Sequence, residues 1–219
     1  MNLRNVIPFN PVPFNSVPLM ILAVSAAAWA QDRMPPIHAD KLTPAQKKSV
    51  ELLAATPRGA GGGGGPFVPL LRSPELMNRV QAVGEYLRFN NTLPQKLVEM
   101  AILMTARQWT QQYEWNAHHP LALKAGLKPE VALAIAAGRH PEGMADDEEM
   151  VYNFVGELLQ NKSVSDPTYA RLLAKFGEQG VIDTTGLVGY YATLAGILNV
   201  ARAPAQPRST APKLETFPH

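Results

Sequence analysis

The sequence predicts an all-α protein, a bundle of about eight helices. Three observations predict it. Helix-start signals, a capping residue or a proline at the first helical position, recur at short intervals from Thr43 to Asp166. Alternating β-branched runs bounded by hairpin turns are not found. The stretch Leu97 to Met104 is apolar nearly all round, interrupted by Glu99, as in a helix buried on most sides.

Each element follows from its own residues. Thr43-Pro44-Ala45-Gln46 has capping-box spacing, and Val50, Leu52, Leu53 and Ala54 continue a helix over 44–55. Ser73-Pro74 opens a helix to Phe89 with Leu76, Val80, Val83 and Leu87 on one face. Thr92 with Gln95 opens the next, and Gln112 to Gly126 forms another that contains Pro120. A proline there removes one backbone N–H, so a kink is expected just past His118. Pro129 opens a helix that ends at Gly138, Asp146 with Glu149 opens one to about Asn161, and Asp166-Pro167 opens one that ends at Gly177. The last runs from about Thr184 to Val200 and is rich in Gly186, Gly189, Ala192, Ala195 and Gly196, which permit close approach of another helix or of a second subunit.

Four regions are expected. Residues 1–30 read as an export signal, with Arg4 as their only charge, an apolar run from Val17 and Ala28-Trp29-Ala30 as a small-x-small cleavage site. This implies an exported protein, periplasmic or secreted, with no stable membrane span after cleavage. Residues 31–72 form an arm with one short helix and a glycine-rich linker, Gly59 and Gly61 to Gly65. A phosphate loop would need a Gly-Lys-Ser/Thr ending and a preceding strand, which are missing. Residues 73–201 form the helical domain. Residues 202–219, with Pro204, Pro207, Pro212 and Pro218, are expected to be disordered.

Composition narrows the chemistry. A net charge of +2 with 17% charged residues lacks the basic excess that nucleic acid demands. The chain has no cysteine, which removes disulfides, thiolate metal sites and thiol nucleophiles. A buried carboxylate such as Glu99 must be paired or protonated, and Lys96 or Arg107 could supply an ordinary ion pair. Glu114 and His118 stand at i and i+4, so the carboxylate can accept the imidazole N–H and suit the ring to proton transfer near neutral pH. The bland reading of that pair is a solvated surface contact. A metal site has little support, because His119 points about 100° from His118 on a helix and no His-Glu-x-x-His occurs. No Gly-x-Ser-x-Gly elbow supports a serine nucleophile.

Leu97-Val98-Glu99-Met100-Ala101-Ile102-Leu103, Tyr113-Glu114-Trp115-Asn116-Ala117-His118 and Ala122-x-x-Ala125-Gly126-Leu127 resemble the core helices of the carboxymuconolactone decarboxylase and AhpD-like alkylhydroperoxidase family. The similarity spans about Ser73 to Ala201 and includes the nineteen-residue spacing from Glu99 to His118. Where the peroxidase branch of the family has Cys-x-x-Cys, this chain has Gln111 and Glu114.

The resemblance therefore implies an AhpD-like multi-helix bundle without cysteine, acid-base chemistry without cofactor or metal, and assembly as a homotrimer or homohexamer with pockets near subunit contacts. It implies decarboxylation or isomerisation of a small carboxylated lactone-type substrate. His118 is the expected proton donor, Glu114 its orienting partner, and Glu99 a relay or second carboxylate. Arg107, Trp109 and Tyr113 are expected pocket groups, Arg107 for a substrate carboxylate. Two alternatives are a peroxidase-type role, which the missing cysteine opposes, and a non-catalytic oligomeric binding protein.

Overall fold

The structure is a computed structural model that describes residues 32–59, 63–205 and 209–215. The export segment, Gly61 and Gly62 of the glycine run, and Pro207 and Pro218 of the tail lie outside the described residues. Among the described residues every regular element is helical: α1 (Pro44–Ala54), α2 (Phe67–Leu70), α3 (Pro74–Phe89), α4 (Gln95–Gln108), α5 (Gln112–Lys124), α6 (Pro129–Ala136), α7 (Asp146–Asn161) and α8 (Asp166–Ala201). The short α2 and a 3₁₀ turn at Ala39–Lys41 were not expected from sequence.

The helix signals act largely as their chemistry requires. Thr43 closes a complete capping box on α1, with Gln46 N–H donating to Thr43 Oγ1 at 3.3 Å and Thr43 N–H to Gln46 Oε1 at 2.9 Å. Gly126 and Gly138 hold φ of 97° and 67° just past α5 and α6, a conformation that glycine adopts without steric cost. The amide of the following residue closes each end, Leu127 N–H on Ala122 O at 3.0 Å and Arg139 N–H on Ala134 O at 2.9 Å.

Other boundaries differ from expectation. Thr92 does not cap α4; its amide and hydroxyl both donate to the buried Asp183 on α8, at 3.3 and 3.2 Å. In α7 the acceptor at the start is Glu148, not Glu149, taking the Ala145 N–H at 2.8 Å. Pro120 lies inside α5, which continues as helix to Lys124. At Gly177 the backbone turns to φ 68° and ψ −179° and then re-enters helix, so the two expected helices adjoin with one glycine between them.

α4 is the central helix and packs against α5, α6, α7 and α8. Leu97, Val98, Met100, Ala101, Ile102 and Leu103 are at most 1% exposed, so its all-round apolar pattern is met by neighbours on every side. Burial on that scale contributes roughly 1.5–3 kcal/mol for each large side chain. α8 has the length and composition to cross a membrane; here Leu172, Leu187, Leu194 and Leu198 serve the core.

Both ends of the domain are tied down. In the arm expected to be loose, Arg33 N–H donates to Ala201 O at 2.8 Å. The described tail residues also differ from the expected disorder: Gln112 accepts the Leu214 N–H at 2.8 Å and donates to Pro212 O at 3.1 Å, while Leu214 is buried. Proline content made this segment look unfoldable alone, but an existing surface with free amide valences on Gln112 orders it.

Candidate functional site

The site forms where α4 crosses α5. Glu99 lies in the buried heart of α4, and His118 lies on α5 facing it. His118 Nδ1–H donates to Glu99 Oε2 at 2.6 Å, with both side chains almost wholly excluded from solvent. Glu99 Oε1 accepts from Gln95 Nε2 at 2.8 Å, so both carboxylate oxygens are partnered. The alternative ion pairs for Glu99 are not used: Lys96 lies 2.9 Å from Glu148, and Arg107 donates to Glu215 O at 2.8 Å. Burial pushes the Glu99 carboxyl up, but the His118 hydrogen bond and charge, with Arg88 and Gln95, outweigh it and hold the group below its ordinary value.

Glu114 is placed differently from expectation. Its Oε2 lies 3.6 Å from His118 Nε2, beyond a hydrogen bond, so the carboxylate that orients the ring is Glu99 and not its helix neighbour. The i, i+4 rule brings two side chains to one helix face, whereas the α4–α5 packing aims Nδ1 at Glu99 and leaves Nε2 on the Glu114 side. Glu114 Oε1 is buried without a hydrogen-bond partner. Burial raises the Glu114 carboxyl, and the nearby charges of His118, Arg88 and Arg58 only partly offset that rise. Two carboxyls thus flank one imidazole with their acidities pushed in opposite directions, an arrangement suited to acid-base work.

His118 and Glu114 open onto a cavity of about 360 Å³, walled also by Arg58, Phe67, Arg88, Phe89, Tyr113, Tyr190, Tyr191 and Leu194. The Tyr191 ring meets His118 edge-on with centroids 5.0 Å apart, and Tyr190 meets Tyr191 likewise at 5.1 Å. Burial drives the Tyr191 phenol well above its ordinary range, which keeps it a neutral hydroxyl. Glu99 lies behind His118 and fronts a second cavity of about 730 Å³, with Gln95, Lys96 and Lys124. Arg88 and Phe89 line both spaces.

Of the three expected pocket groups, one is there. Tyr113 lines the cavity, packed on the glycine-rich loop: a Cβ at Gly65 would stand 2.4 Å from its ring. Arg107 faces a separate cavity with Arg139 and Tyr152, on another side of α4. Trp109 ends α4 on the surface, 42% exposed, with its carbonyl taking a hydrogen bond from Asn199. Both follow Glu99 in sequence, by eight and ten residues, but more than two turns of helix carry them along α4 and off the site. His119 turns to Trp115, with ring centroids 5.7 Å apart. Gln111 accepts the Tyr113 N–H at 2.8 Å and bonds Asn199 at 2.7 Å, a capping role at the start of α5.

The cations that do reach the cavity are Arg58, from the arm, and Arg88, from the end of α3. Sequence reasoning passed over them. The available signal was aromatic company: Phe67 and Phe89 each stack with an arginine.

Residues 74–146 match the model of the carboxymuconolactone decarboxylase family. No curated protein matches the chain. The carboxymuconolactone decarboxylase segment holds Glu99, Glu114, His118, Arg88 and Tyr113, whereas Arg58, Phe67, Tyr190 and Tyr191 come from outside it. More than half of the residues lining the cavity thus lie outside the matched segment. With no cysteine anywhere in the sequence, the dithiol chemistry of the peroxidase branch has no residues here to carry it.

Proposed function

We propose that this protein is a cofactor-independent acid-base enzyme that decarboxylates or isomerises a small carboxylated lactone-type compound. The observation that carries the reading is the buried 2.6 Å Glu99–His118 hydrogen bond, with the other ring nitrogen on the cavity side. A carboxylate on Nδ1 fixes the tautomer and stabilises the imidazolium, so Nε2 can hold or release a proton at the cavity.

For decarboxylation the chemistry runs as follows. The bond from the ring carbon to the carboxylate breaks, its electron pair moves through the adjacent double bond, and the lactone carbonyl oxygen takes the charge as a dienolate. Carbon dioxide leaves. The His118 imidazolium then delivers its Nε2 proton to the dienolate carbon, and a proton from solvent restores it through Glu99, which fronts the second cavity. Glu114 serves as a second proton carrier beside Nε2. Isomerisation uses the same groups, with Nε2 taking a proton from one carbon and returning it at another.

The test is turnover by purified protein of unsaturated γ-carboxylated lactones, followed by loss of ultraviolet absorbance and release of carbon dioxide. Turnover that persists in both His118→Ala and Glu99→Gln would overturn the assignment.

We also propose self-association into a trimer or hexamer, and export. Ile182 and Val200 on α8 are 69% and 59% exposed, and Gly186 and Gly189 share that exposed side, so a second copy could approach closely.

A further inference from the structure

We infer that Arg58 and Arg88 form a two-guanidinium clamp that makes the cavity selective for a compact organic dianion, a dicarboxylate, with Arg58 supplied from outside the family segment. The inference rests on the cavity's being a substrate site, as proposed above, and names what that site selects.

The clamp is built rather than incidental. The Arg58 guanidinium lies over the Phe67 ring at 5.5 Å and over Phe89 at 5.7 Å, and Arg88 lies over the same Phe89 at 5.0 Å. Stacking on aromatic faces leaves the in-plane N–H edge of a guanidinium for a ligand, and that edge matches a carboxylate in bidentate fashion. On each arginine one such N–H is idle: Arg58 Nη1 and Arg88 Nε are buried with no hydrogen-bond partner. Buried charged donors of this kind are costly unless something fills their valence.

No ion pair to either arginine forms among the described residues. The carboxylate nearest to hand is Glu114, and burial holds it toward its neutral form, so it cancels little of the positive charge. The remaining facing titratable groups are His118, hydrogen-bonded to Glu99, and Tyr113, Tyr190 and Tyr191. Glu99 feels the Arg88 charge, but its two oxygens are taken by His118 and Gln95, so neither guanidinium of the cavity is in an ion pair. A single carboxylate satisfies one and strands the other.

Placement is also specified. Arg58 Nη2 reaches Tyr190 Oη at 3.5 Å, and that pair fits only because α3 carries no side chain at Gly84: a Cβ there would stand 2.0 Å from Tyr190 Oη and 2.8 Å from Arg58 Nη2. The same cavity is lined by Phe67, Phe89, Pro66 and Leu194, an apolar surface that suits a carbon skeleton with two anionic ends better than a bare phosphate.

Isothermal titration calorimetry of the full chain decides it, using glutarate, succinate, maleate and fumarate against butyrate and inorganic phosphate. At least one dicarboxylate is expected to bind about tenfold or more tightly than butyrate, since each end gains a charge-assisted fork. Arg58→Gln and Arg88→Gln should each abolish that preference. Arg58→Lys should lose part of it, because an ammonium keeps the charge without the fork. Equal binding of mono- and dicarboxylates, tightest binding of phosphate, no binding at all, or unchanged preference in the glutamine variants would each overturn the clamp. Circular dichroism checks that the variants fold; should they not, the ratio on native protein and Arg58→Lys still decide. Arginine-dependent binding without lactone turnover sinks the enzymatic reading and leaves the clamp, whereas turnover with a KM indifferent to Arg58→Gln does the reverse.

Discussion

Glu99 and His118, nineteen residues apart in the chain, meet across the α4–α5 packing through one buried 2.6 Å hydrogen bond. The helices set that distance. α4 is clasped by core on all sides and cannot rotate, so its lone carboxylate is held where the imidazole of α5 must find it. Replacing Glu99 by Gln keeps an acceptor of the same shape and removes the charge that stabilises the imidazolium. Turnover should fall roughly 10²- to 10⁴-fold in kcat, the usual range for losing general acid-base assistance, with KM little changed. Stopped-flow or steady-state assays on the lactone screen check this, and a kcat equal to the parent's would remove Glu99 from the mechanism.

The two carboxyls should leave opposite signatures in stability against pH. Glu99 has a folded pKa below its ordinary 4.5, so its contribution is present above that value and is lost as pH falls through the lower folded one. Glu114 has a folded pKa above 4.5, so its contribution is fully present below 4.5 and is lost as pH rises through the raised folded value. Thermal melts across pH 3 to 8, on the order of that span around the reference carboxylate values, should show Glu99→Gln flattening the acid limb and Glu114→Gln flattening the upper one. Parallel profiles for all three proteins would contradict the assigned environments.

Much of this was open to a reading of the residues, and the part that was not has a common cause. Local signals placed α1, α3 and the glycine-ended α5 and α6 within two residues, because capping and left-handed glycine are short-range chemistry. The apolar run around Glu99 announced a buried carboxylate. What periodicity left open was rotation: Leu76 and Val83 share a helical face with Val80 and Leu87, yet they are about half exposed, and α3 buries Met77, Gly84 and Leu87 instead. A glycine carries no hydrophobic signal, so the face that Gly84 creates for Tyr190 was invisible. The same blindness hid Arg58 and sent the substrate role to Arg107, since only tertiary packing tells which arginine enters the cavity.

The tail offers an independent check on that packing. Leu214→Ala should lower stability by about 2 kcal/mol, the low end for a buried leucine because neighbouring tail residues can settle into the gap. Gln112→Ala removes the acceptor of the Leu214 N–H and the donor to Pro212 O, so the double substitution should cost less than the sum of the single ones. Urea titrations measure all three, and strict additivity would mean that the segment is not held by Gln112.

Gly84 and Gly186 make the sharpest contrast, because both are helical glycines and the same alanine substitution should act with opposite sign. At Gly186 a Cβ would meet Leu87 at 3.5 Å, ordinary van der Waals contact, so alanine gains helix propensity of up to ~1 kcal/mol in the isolated subunit. At Gly84 the new Cβ would collide with Tyr190 at 2.0 and 2.2 Å and with Arg58 at 2.8 Å. The tyrosine ring is buried and cannot swing to solvent, so the variant should lose about 1–3 kcal/mol from overpacking. Its effect should reach the ligand as well, because the atoms displaced are the ones that position Arg58. Melting curves paired with calorimetry on a dicarboxylate would show both losses together in Gly84→Ala and neither in Gly186→Ala; a stable Gly84→Ala with unchanged binding would mean that α3 does not press on Tyr190 as described.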